Sequence, residues 1–221
     1  SSGFLSPSGV YAACQPKIVK LLPPETGIYH TAFSTTYSSS NNVSESEVPY
    51  FENLAGRNIV WLNFQSDWFN GIKFPVESVK NIWKHGAIPS IRMLPWSRYD
   101  KNDQTYSLRN IVEGKFDKEL RTWAKDLKKT DIPVLIGFAG EPNGDWFPWS
   151  GIQNGGGNKT GYGDKDLADG PELYRDAYRY IIDIFKDEGV LKVTWIFHVN
   201  SVGAPDEEWN NIKNYYPGDG Y

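Results

Sequence analysis

Residues 132–138, Ile-Pro-Val-Leu-Ile-Gly-Phe, form a short apolar run, and the carboxylate Glu141 follows this run after Ala-Gly. A continuous run of this length is typical of a parallel strand that is covered on both faces. Ligands of alternating β/α folds bind at the carboxyl ends of such strands. The position of Glu141 directly after the strand therefore makes it the first candidate for a functional residue.

Strands are predicted at four other places in the chain, at residues 27–33, 58–64, 87–94 and 193–199. Between several of them, apolar residues recur at spacings of three and four, which predicts helices that pack on a sheet. These stripes are Val76, Val79, Ile82 and Trp83 after Pro75; Phe116, Leu120, Trp123 and Leu127; and Leu173, Ala177, Ile181 and Ile184 before Gly189. Residues 34–46 are predicted to form a loop, and a short polar segment follows this loop.

This alternation of strands and helices predicts a parallel sheet, either a β/α barrel or an open doubly wound sheet. An open nucleotide-binding sheet is expected to carry a glycine-rich phosphate turn after its first strand, and the sequence has none there. Polar and aromatic residues instead follow several strands, which is the arrangement of a barrel. They are Asn63, Gln65, Asp67 and Trp68; Arg92 and Trp96; Glu141, Asn143 and Trp146; and His198 and Asn200.

We therefore predict an α/β fold of the (β/α)8 TIM-barrel type, with strands one to five in this chain and the remainder expected after residue 221. A complete barrel typically needs about 250 residues, whereas this chain has 221. Residues 1–26 are predicted to be an irregular N-terminal lead. Residues 27–221 are predicted to be the N-terminal portion of a single (β/α)8 catalytic domain.

Charge and composition narrow the class of ligand. The net charge is −4, and no cluster of Lys and Arg is interleaved with aromatics, so neither nucleic acid nor a membrane is an expected partner. No apolar segment approaches the roughly 20 residues of a bilayer-spanning helix. The single cysteine, Cys14, and the three scattered histidines do not have the spacing of a zinc site, so we expect no metal and no cofactor. A calcium ion held by loop oxygens stays an open alternative.

The nine tryptophans predict a surface on which a neutral ligand stacks, because many of them adjoin Asn, Asp, Gly or Pro rather than lying in apolar runs. Trp83, Trp123 and Trp195 lie inside predicted elements and are expected in the core. Four others lie in loop-like contexts and are candidates for ligand stacking. These are Trp68, Trp96, Trp146 and Trp149.

Four segments stand out in order along the chain: Glu-Pro-Asn-Gly-Asp-Trp-Phe-Pro-Trp at 141–149, Tyr-Arg-Asp-Ala-Tyr-Arg-Tyr-Ile-Ile-Asp-Ile-Phe at 174–185, Val-Thr-Trp-Ile-Phe-His-Val-Asn at 193–200 and Tyr-Tyr-Pro-Gly-Asp at 215–219. Together they resemble glycoside hydrolase family 26, which contains mainly β-mannanases, with lichenases and β-1,3-xylanases, on a (β/α)8 barrel. The resemblance implies retaining hydrolysis of a β-linked polysaccharide, with Glu141 as general acid/base. It also implies that Asn143 and Trp146 orient this glutamate and line the cleft, and that Asn200 binds sugar hydroxyls.

The sequence departs from the family's pattern just before the glutamate. Gly137 and Gly140 stand where the family usually has an arginine and a histidine. We expect Arg92 on the third strand and His198 on the fifth to fill the space that is left. Retaining chemistry also needs a second carboxylate about 5–5.5 Å from the first. The family carries it on the seventh strand, so we expect the nucleophile after Tyr221.

The leading functional prediction is an endo-acting β-1,4-glycanase, most simply a β-mannanase. One alternative is a related β-xylanase or mixed-linkage β-glucanase, and another is a non-catalytic carbohydrate-binding barrel. The predicted partners are a β-linked polysaccharide or oligosaccharide and the complementary C-terminal part of the barrel. We expect a secreted or cell-envelope protein, although the chain carries no signal peptide.

Overall fold

The computed structural model describes residues 20–34 and 42–221. Cys14 and most of the predicted N-terminal lead therefore lie outside the described residues. The part of the lead that is described, residues 20–26, contains neither helix nor strand. In the described ranges, no helix is both long and apolar enough to cross a lipid bilayer.

Five parallel strands form one sheet in the order β1-β2-β3-β4-β5, so each strand pairs with its neighbour in the sequence. The strands are β1 Thr31–Phe33, β2 Trp61–Asp67, β3 Ile88–Leu94, β4 Val134–Phe138 and β5 Val193–Trp195. All five lie within or overlap the predicted strands. This sequential parallel order is that of a β/α barrel wall, and it excludes a doubly wound sheet, in which the strand order reverses.

The two outer strands are shorter than predicted, with three residues each. The predicted fifth strand extended to residue 199, but only its first part pairs with β4. His198 and Asn200 consequently lie in the segment that follows β5 rather than in the strand. The register places Arg92 of β3 opposite Gly137 of β4.

The main helices are those that the apolar stripes predicted. The helices are α1 Glu47–Ala55, α2 Val76–Lys84, α3 Leu108–Val112, α4 Asp117–Thr130, α5 Asp169–Asp187 and α6 Ile212–Tyr215. Short 3₁₀ turns occupy Gly151–Asn154 and Glu208–Asn210. The short polar segment expected after residue 46 forms helix α1, which buries only Glu47 and Val48 and so has no apolar stripe that predicts a helix.

The predicted stripe of α5 is confirmed, since Leu173, Ala177, Ile181 and Ile184 are all buried. Tyr174 and Tyr178 extend the buried face, and the chain leaves the helix through Gly189 at φ +68°. A backbone in this left-handed region is typical of glycine after a helix.

Two tryptophans predicted for the core lie there at least in part, and one does not. Trp123 is buried between Phe74 and Phe185, with ring centroids 4.8 and 5.3 Å away. Trp195 is partly buried against the core. Trp83 is 43% exposed, so its prediction was wrong. The helical rotation of about 100° per residue explains this, because Ile82 faces the core and the next side chain turns away from it.

Candidate active site

Glu141 lies just beyond the carboxyl end of β4 in an unusual backbone conformation. Its φ is +59°, and that of Ala139 is +47°. Non-glycine residues in this region carry strain of roughly 1–3 kcal/mol each, and they cluster at functional sites. Hydrogen bonds fix the turn to both neighbouring strands: Ala139 N–H donates to the Met93 carbonyl at 2.9 Å and Glu141 N–H to the His198 carbonyl at 2.8 Å. The turn that presents the carboxylate is therefore held in place by β3 and by the segment after β5.

The two carboxylate oxygens of Glu141 have different neighbours. The indole Nε1 of Trp146 donates a hydrogen bond to Oε2 at 3.0 Å. On the other side, His198 Nε2 lies 3.7 Å from Oε1. The Glu141 side chain keeps 26% of its surface exposed. The carboxylate is thus held by neighbours and is still accessible to a molecule that approaches from solvent.

His198 packs against Gly140. A Cβ atom added to residue 140 would lie only 3.0 Å from His198 Nδ1 and 3.4 Å from Cγ, which is closer than side chains normally approach. Burial, together with the nearby Arg92 guanidinium, lowers the pKa of His198, and the Glu141 carboxylate opposes this effect. The imidazole is therefore neutral at neutral pH.

A cavity of about 250 Å³ opens beside Gly140 and His198. Its lining combines polar and apolar side chains from several strands, including Phe33, Asn63, Ser90, Arg92, Gly137 and Ile196. Arg92 lies over the Phe33 ring at 5.7 Å, and Ser90 Oγ donates to Asn63 Oδ1 at 2.6 Å. The structure therefore places Arg92 and His198 on the wall of one cavity, next to the glycine positions where the sequence lacks side chains.

Phe33 and Ser90 were not predicted as site residues. Ser90 lies two residues before Arg92 on β3, and side chains two apart on a strand point to the same face. This spacing is the signal that could have identified Ser90. Phe33 ends β1 and carries no comparable sequence signal, because an aromatic residue there is equally typical of core packing.

Asn143 does not line the cleft, because it is fully buried. Its Nδ2 donates to the Asn200 carbonyl at 2.9 Å, and its Oδ1 accepts from Asn200 N–H at 2.8 Å. The Asn143 carbonyl accepts from Ala204 N–H and from Asn210 Nδ2. The prediction of a cleft-lining residue is corrected: Asn143 joins the loop after β4 to the segment after β5. Asn200 is partly buried, and its own amide donates to the Val202 carbonyl at 2.8 Å.

Three of the four tryptophans predicted to stack on a ligand are buried. Trp68 and Trp149 have 0% and 1% of their surface exposed, and Trp96 has 8%. Trp149 stacks on Phe147 at 4.4 Å and donates from its indole to the Gly140 carbonyl at 2.8 Å, while Trp96 meets Trp149 at 5.3 Å. Trp96, Phe147 and Trp149 form a packed aromatic cluster next to Gly140, and Trp68 packs against Tyr106 at 5.2 Å, so the stacking prediction was wrong for these three tryptophans. Trp146, at 38% exposed, is the predicted ring that does reach solvent.

Tyr99, which was not predicted as a site residue, is 60% exposed and is therefore more exposed than Trp146. It contacts Phe69 at 4.7 Å and Trp96 at 4.9 Å, in both cases edge to face. Trp96 in turn contacts Phe147, whose neighbour is Trp146. A chain of aromatic contacts, partly buried at Trp96, therefore connects Trp146 beside Glu141 to the exposed Tyr99.

Among the residues that the structure describes, no carboxylate lines this cavity itself, and Glu141 lies beside it, next to the lining residues Gly140 and His198. Asp67 ends β2, and burial raises its pKa, but its Oδ1 accepts a hydrogen bond from Phe69 N–H in a local turn. Over residues 20–34 and 42–221, no three His, Cys, Asp or Glu side chains are grouped as metal ligands. Within these ranges, Glu141 is thus the carboxylate in position for acid/base chemistry at the cavity.

The sequence is similar to one known family and to two named proteins. The sequence pattern of glycosyl hydrolase family 26 matches residues 99–221. Endoglucanase H of Acetivibrio thermocellus is 28% identical over 178 residues, which cover 80% of this chain and 17% of that protein. A mannan endo-1,4-beta-mannosidase of Bacillus subtilis is 27% identical and is matched over 63% of this chain and 39% of its own length.

Among solved structures, a Bacillus subtilis mannanase superposes with a TM-score of 0.56 at 16% identity. The match covers 86% of this chain and 59% of that structure. The chain therefore spans well under two thirds of the length of each of these relatives. Its five-stranded parallel sheet is consistent with part of a (β/α)8 barrel. Since the family pattern matches more than half of the chain, this protein belongs to glycosyl hydrolase family 26.

Proposed function

We propose that this chain carries the acid/base half of a retaining, endo-acting glycoside hydrolase that cleaves a β-1,4-linked polysaccharide, with β-mannan as the preferred substrate. The observation that carries the proposal is the placement of Glu141. Its carboxylate stands at the carboxyl end of β4, is held by Trp146, and adjoins a cavity with polar and apolar walls. Membership of the family and the name of the Bacillus subtilis relative support a mannan substrate.

In the proposed reaction, protonated Glu141 donates its proton to the glycosidic oxygen as the bond to the leaving sugar breaks. The ionised carboxylate then removes a proton from the water that releases the glycosyl intermediate. Both roles need a carboxyl group that is fixed yet reachable from the cleft. The Trp146 hydrogen bond and the partial exposure of the Glu141 side chain support them.

The nucleophile of this reaction is proposed to lie in a part of the protein outside the present chain. A retaining pair requires its second carboxylate about 5–5.5 Å from the acid/base. The cavity beside Glu141 has no such group among the described residues, and the chain spans 59% of the mannanase structure. The same comparison supports a complementary C-terminal part that closes the barrel.

Two alternatives are favoured by separate observations. The relative named endoglucanase H favours a β-glucan substrate. Gly137 and Gly140, which lack side chains at two positions next to the cavity, favour a carbohydrate-binding barrel without catalysis. A polymeric β-glycan as partner also supports a secreted or cell-envelope location, because the polymer does not enter cells.

The proposal is tested with the full-length protein, by measuring the release of reducing sugar from mannan, xylan and mixed-linkage glucan. Glu141→Gln is expected to lower kcat on mannan by about 10²–10⁴-fold, the usual contribution of general acid/base catalysis. Azide, a nucleophile that needs no general base, should partly restore turnover of an aryl glycoside with a good leaving group. Asp145→Asn, an exposed change in the same loop, is the matched control and should retain activity.

The result that overturns the catalytic proposal is equal activity of the wild type and Glu141→Gln. Binding of mannan without any release of sugar would support the carbohydrate-binding alternative. Faster release of reducing sugar from mixed-linkage glucan than from mannan would make the glucan the preferred substrate. Observation of the first product by NMR separates a retaining from an inverting outcome, because only retention yields the β-anomer first.

A further inference from the structure

The ends of β4 and β5 are joined at the candidate site by one backbone hydrogen bond, from Glu141 N–H to the His198 carbonyl at 2.8 Å. This bond fixes residues 141 and 198 side by side. It brings His198 Nε2 to 3.7 Å from Glu141 Oε1, while Trp146 holds Oε2. The carboxylate thus lies between an imidazole on one side and an indole on the other.

Glycine at residue 140 leaves room for the imidazole in this position, and a side chain there would force the ring to shift. A Cβ atom there would stand 3.0 Å from His198 Nδ1, 3.4 Å from Cγ and 3.5 Å from Cβ. A larger residue at position 140 would collide with much of the ring. Side chains at positions 140 and 198 therefore compete for the same volume beside the carboxylate.

The charged groups that face His198 come from two different elements. Arg92 of β3 disfavours a positive charge on the ring, and Glu141 favours one. Burial adds to the effect of Arg92 and is the largest influence, so the pKa of His198 is lowered overall. A neutral imidazole can share a proton with a carboxyl group instead of forming a fixed ion pair with it.

We propose that His198 is the positioning residue for Glu141, supplied from the neighbouring strand end, and that Gly140 provides the space in which its imidazole reaches Oε1. In this arrangement Trp146 holds Oε2 through its hydrogen bond, and the His198 ring lies 3.7 Å from Oε1 and limits the movement of the carboxyl group on that side. The role of His198 in turnover rests on the function proposed above. Its coupling to Glu141 does not.

The coupling is tested by titrating the His198 imidazole in the full-length protein by NMR, with the resonance assigned from His198→Gln. Glu141→Gln removes the charge and keeps the shape, so the His198 pKa is expected to fall measurably. His85, on the far end of α2, serves as the internal control and should not shift. An unchanged His198 pKa would overturn the proposal, whether or not the protein hydrolyses any glycan.

The competition of positions 140 and 198 for the same volume is tested by moving the imidazole to position 140. Gly140→His alone should lose activity because the two rings collide. The double variant Gly140→His with His198→Ala frees the volume and should recover part of the activity. His198→Ala alone should lower kcat by about tenfold to a hundredfold, with a smaller change in KM and a displaced pH profile.

These outcomes separate the two proposals. If the wild type is active and His198→Ala keeps both its kcat and its pH profile, the positioning role is wrong while the proposed function stands. If the wild type releases no sugar from any glycan, the proposed function fails, and the NMR titration alone decides the coupling. If His198→Ala does not fold, His198→Gln and the titration of Glu141→Gln provide the same decision.

Discussion

Trp146 Nε1 donates a 3.0 Å hydrogen bond to Glu141 Oε2, five residues earlier in the same loop. The indole is 38% exposed, so one ring both holds the carboxylate and faces solvent. Because the loop between them folds back on itself, with Gly144 N–H donating to the Glu141 carbonyl at 3.0 Å, the pair forms a local unit. A local unit of this kind can be tested by a change that keeps the ring and removes only the donor.

Trp146→Phe is expected to lower kcat by about tenfold, because a hydrogen bond to a charged group is worth about 1.5–3 kcal/mol and the pair is partly solvated. Steady-state hydrolysis of mannan by the full-length protein measures the effect. Trp83→Phe is the matched control, since Trp83 is similarly exposed on α2. A variant Trp146→Phe with wild-type kcat would show that the indole donor does not act on the reaction.

Asn143→Ala is expected to destabilise the protein by about 2–4 kcal/mol. Loss of the amide leaves the N–H and carbonyl of the partly buried Asn200 without their partners, and an unsatisfied group costs up to about 1–3 kcal/mol. Urea unfolding followed by tryptophan fluorescence measures the change. Asn200→Ala, which removes a side-chain bond to the Val202 carbonyl only, should cost less than about 1 kcal/mol.

A different result would assign ligand binding to Asn143. If Asn143→Ala unfolds at the wild-type urea concentration yet binds oligosaccharide more weakly, the buried residue would be a ligand contact after all. That result would contradict the burial of Asn143 in the structure.

Trp149→Ala and Tyr99→Ala are expected to separate stability from ligand binding. Trp149 is buried in the aromatic cluster, so its loss should cost about 3–5 kcal/mol in unfolding free energy. Tyr99 is largely exposed, so its loss should change stability by less than about 1 kcal/mol. If a sugar ring covers the exposed face of Tyr99, affinity for a long oligosaccharide should fall by up to about tenfold, in line with the apolar area lost.

Isothermal titration with manno-oligosaccharides of increasing length measures the Tyr99 effect. Tyr50→Ala is the control, because Tyr50 is also more than half exposed but lies on α1. Equal affinity of wild type and Tyr99→Ala for every length would remove Tyr99 from the binding surface.

Asp103 is expected to make stability depend on pH in the acidic range. Burial alone would raise the pKa of its carboxyl, but hydrogen bonds from Ser97 N–H and from Thr105 outweigh burial and lower the pKa to about 2. A group whose pKa is depressed by folding stabilises the protein above its unfolded pKa. That stabilisation is lost as the pH falls through the folded pKa.

Asp103→Asn should therefore destabilise the protein by about 2 kcal/mol at pH 6, and the difference from wild type should shrink between about pH 4 and pH 2. Urea unfolding at several pH values measures it. Asp126→Asn, on the exposed face of α4, is the control and should show a small difference at every pH. A constant difference for Asp103→Asn down to pH 2 would show that the carboxylate is not stabilised by this turn.

Local sequence patterns were sufficient to predict the helices and strands whose apolar residues recur at a regular spacing. The stripes of α4 and α5 and the strand positions were predictable because core-facing residues recur at fixed spacing. The short helices α1, α3 and α6 were not predicted, since four to nine residues with few buried side chains carry little periodic signal. Trp83 was misplaced because one residue of rotation separates the buried stripe from the exposed face.

At the site, the sequence alone determined the strand and the position of Glu141 after it, because these are set by neighbours in the chain, whereas the turn that presents the carboxylate is held by distant residues. Only the tertiary structure decided which aromatics are buried, since Trp149 and Trp146 have the same kind of sequence neighbours and differ in what packs over them. It also decided the pairing of His198 with Glu141. The order of the strands had already predicted His198 near Glu141, but the 3.7 Å approach of its ring depends on the register of two parallel strands joined by a long connection.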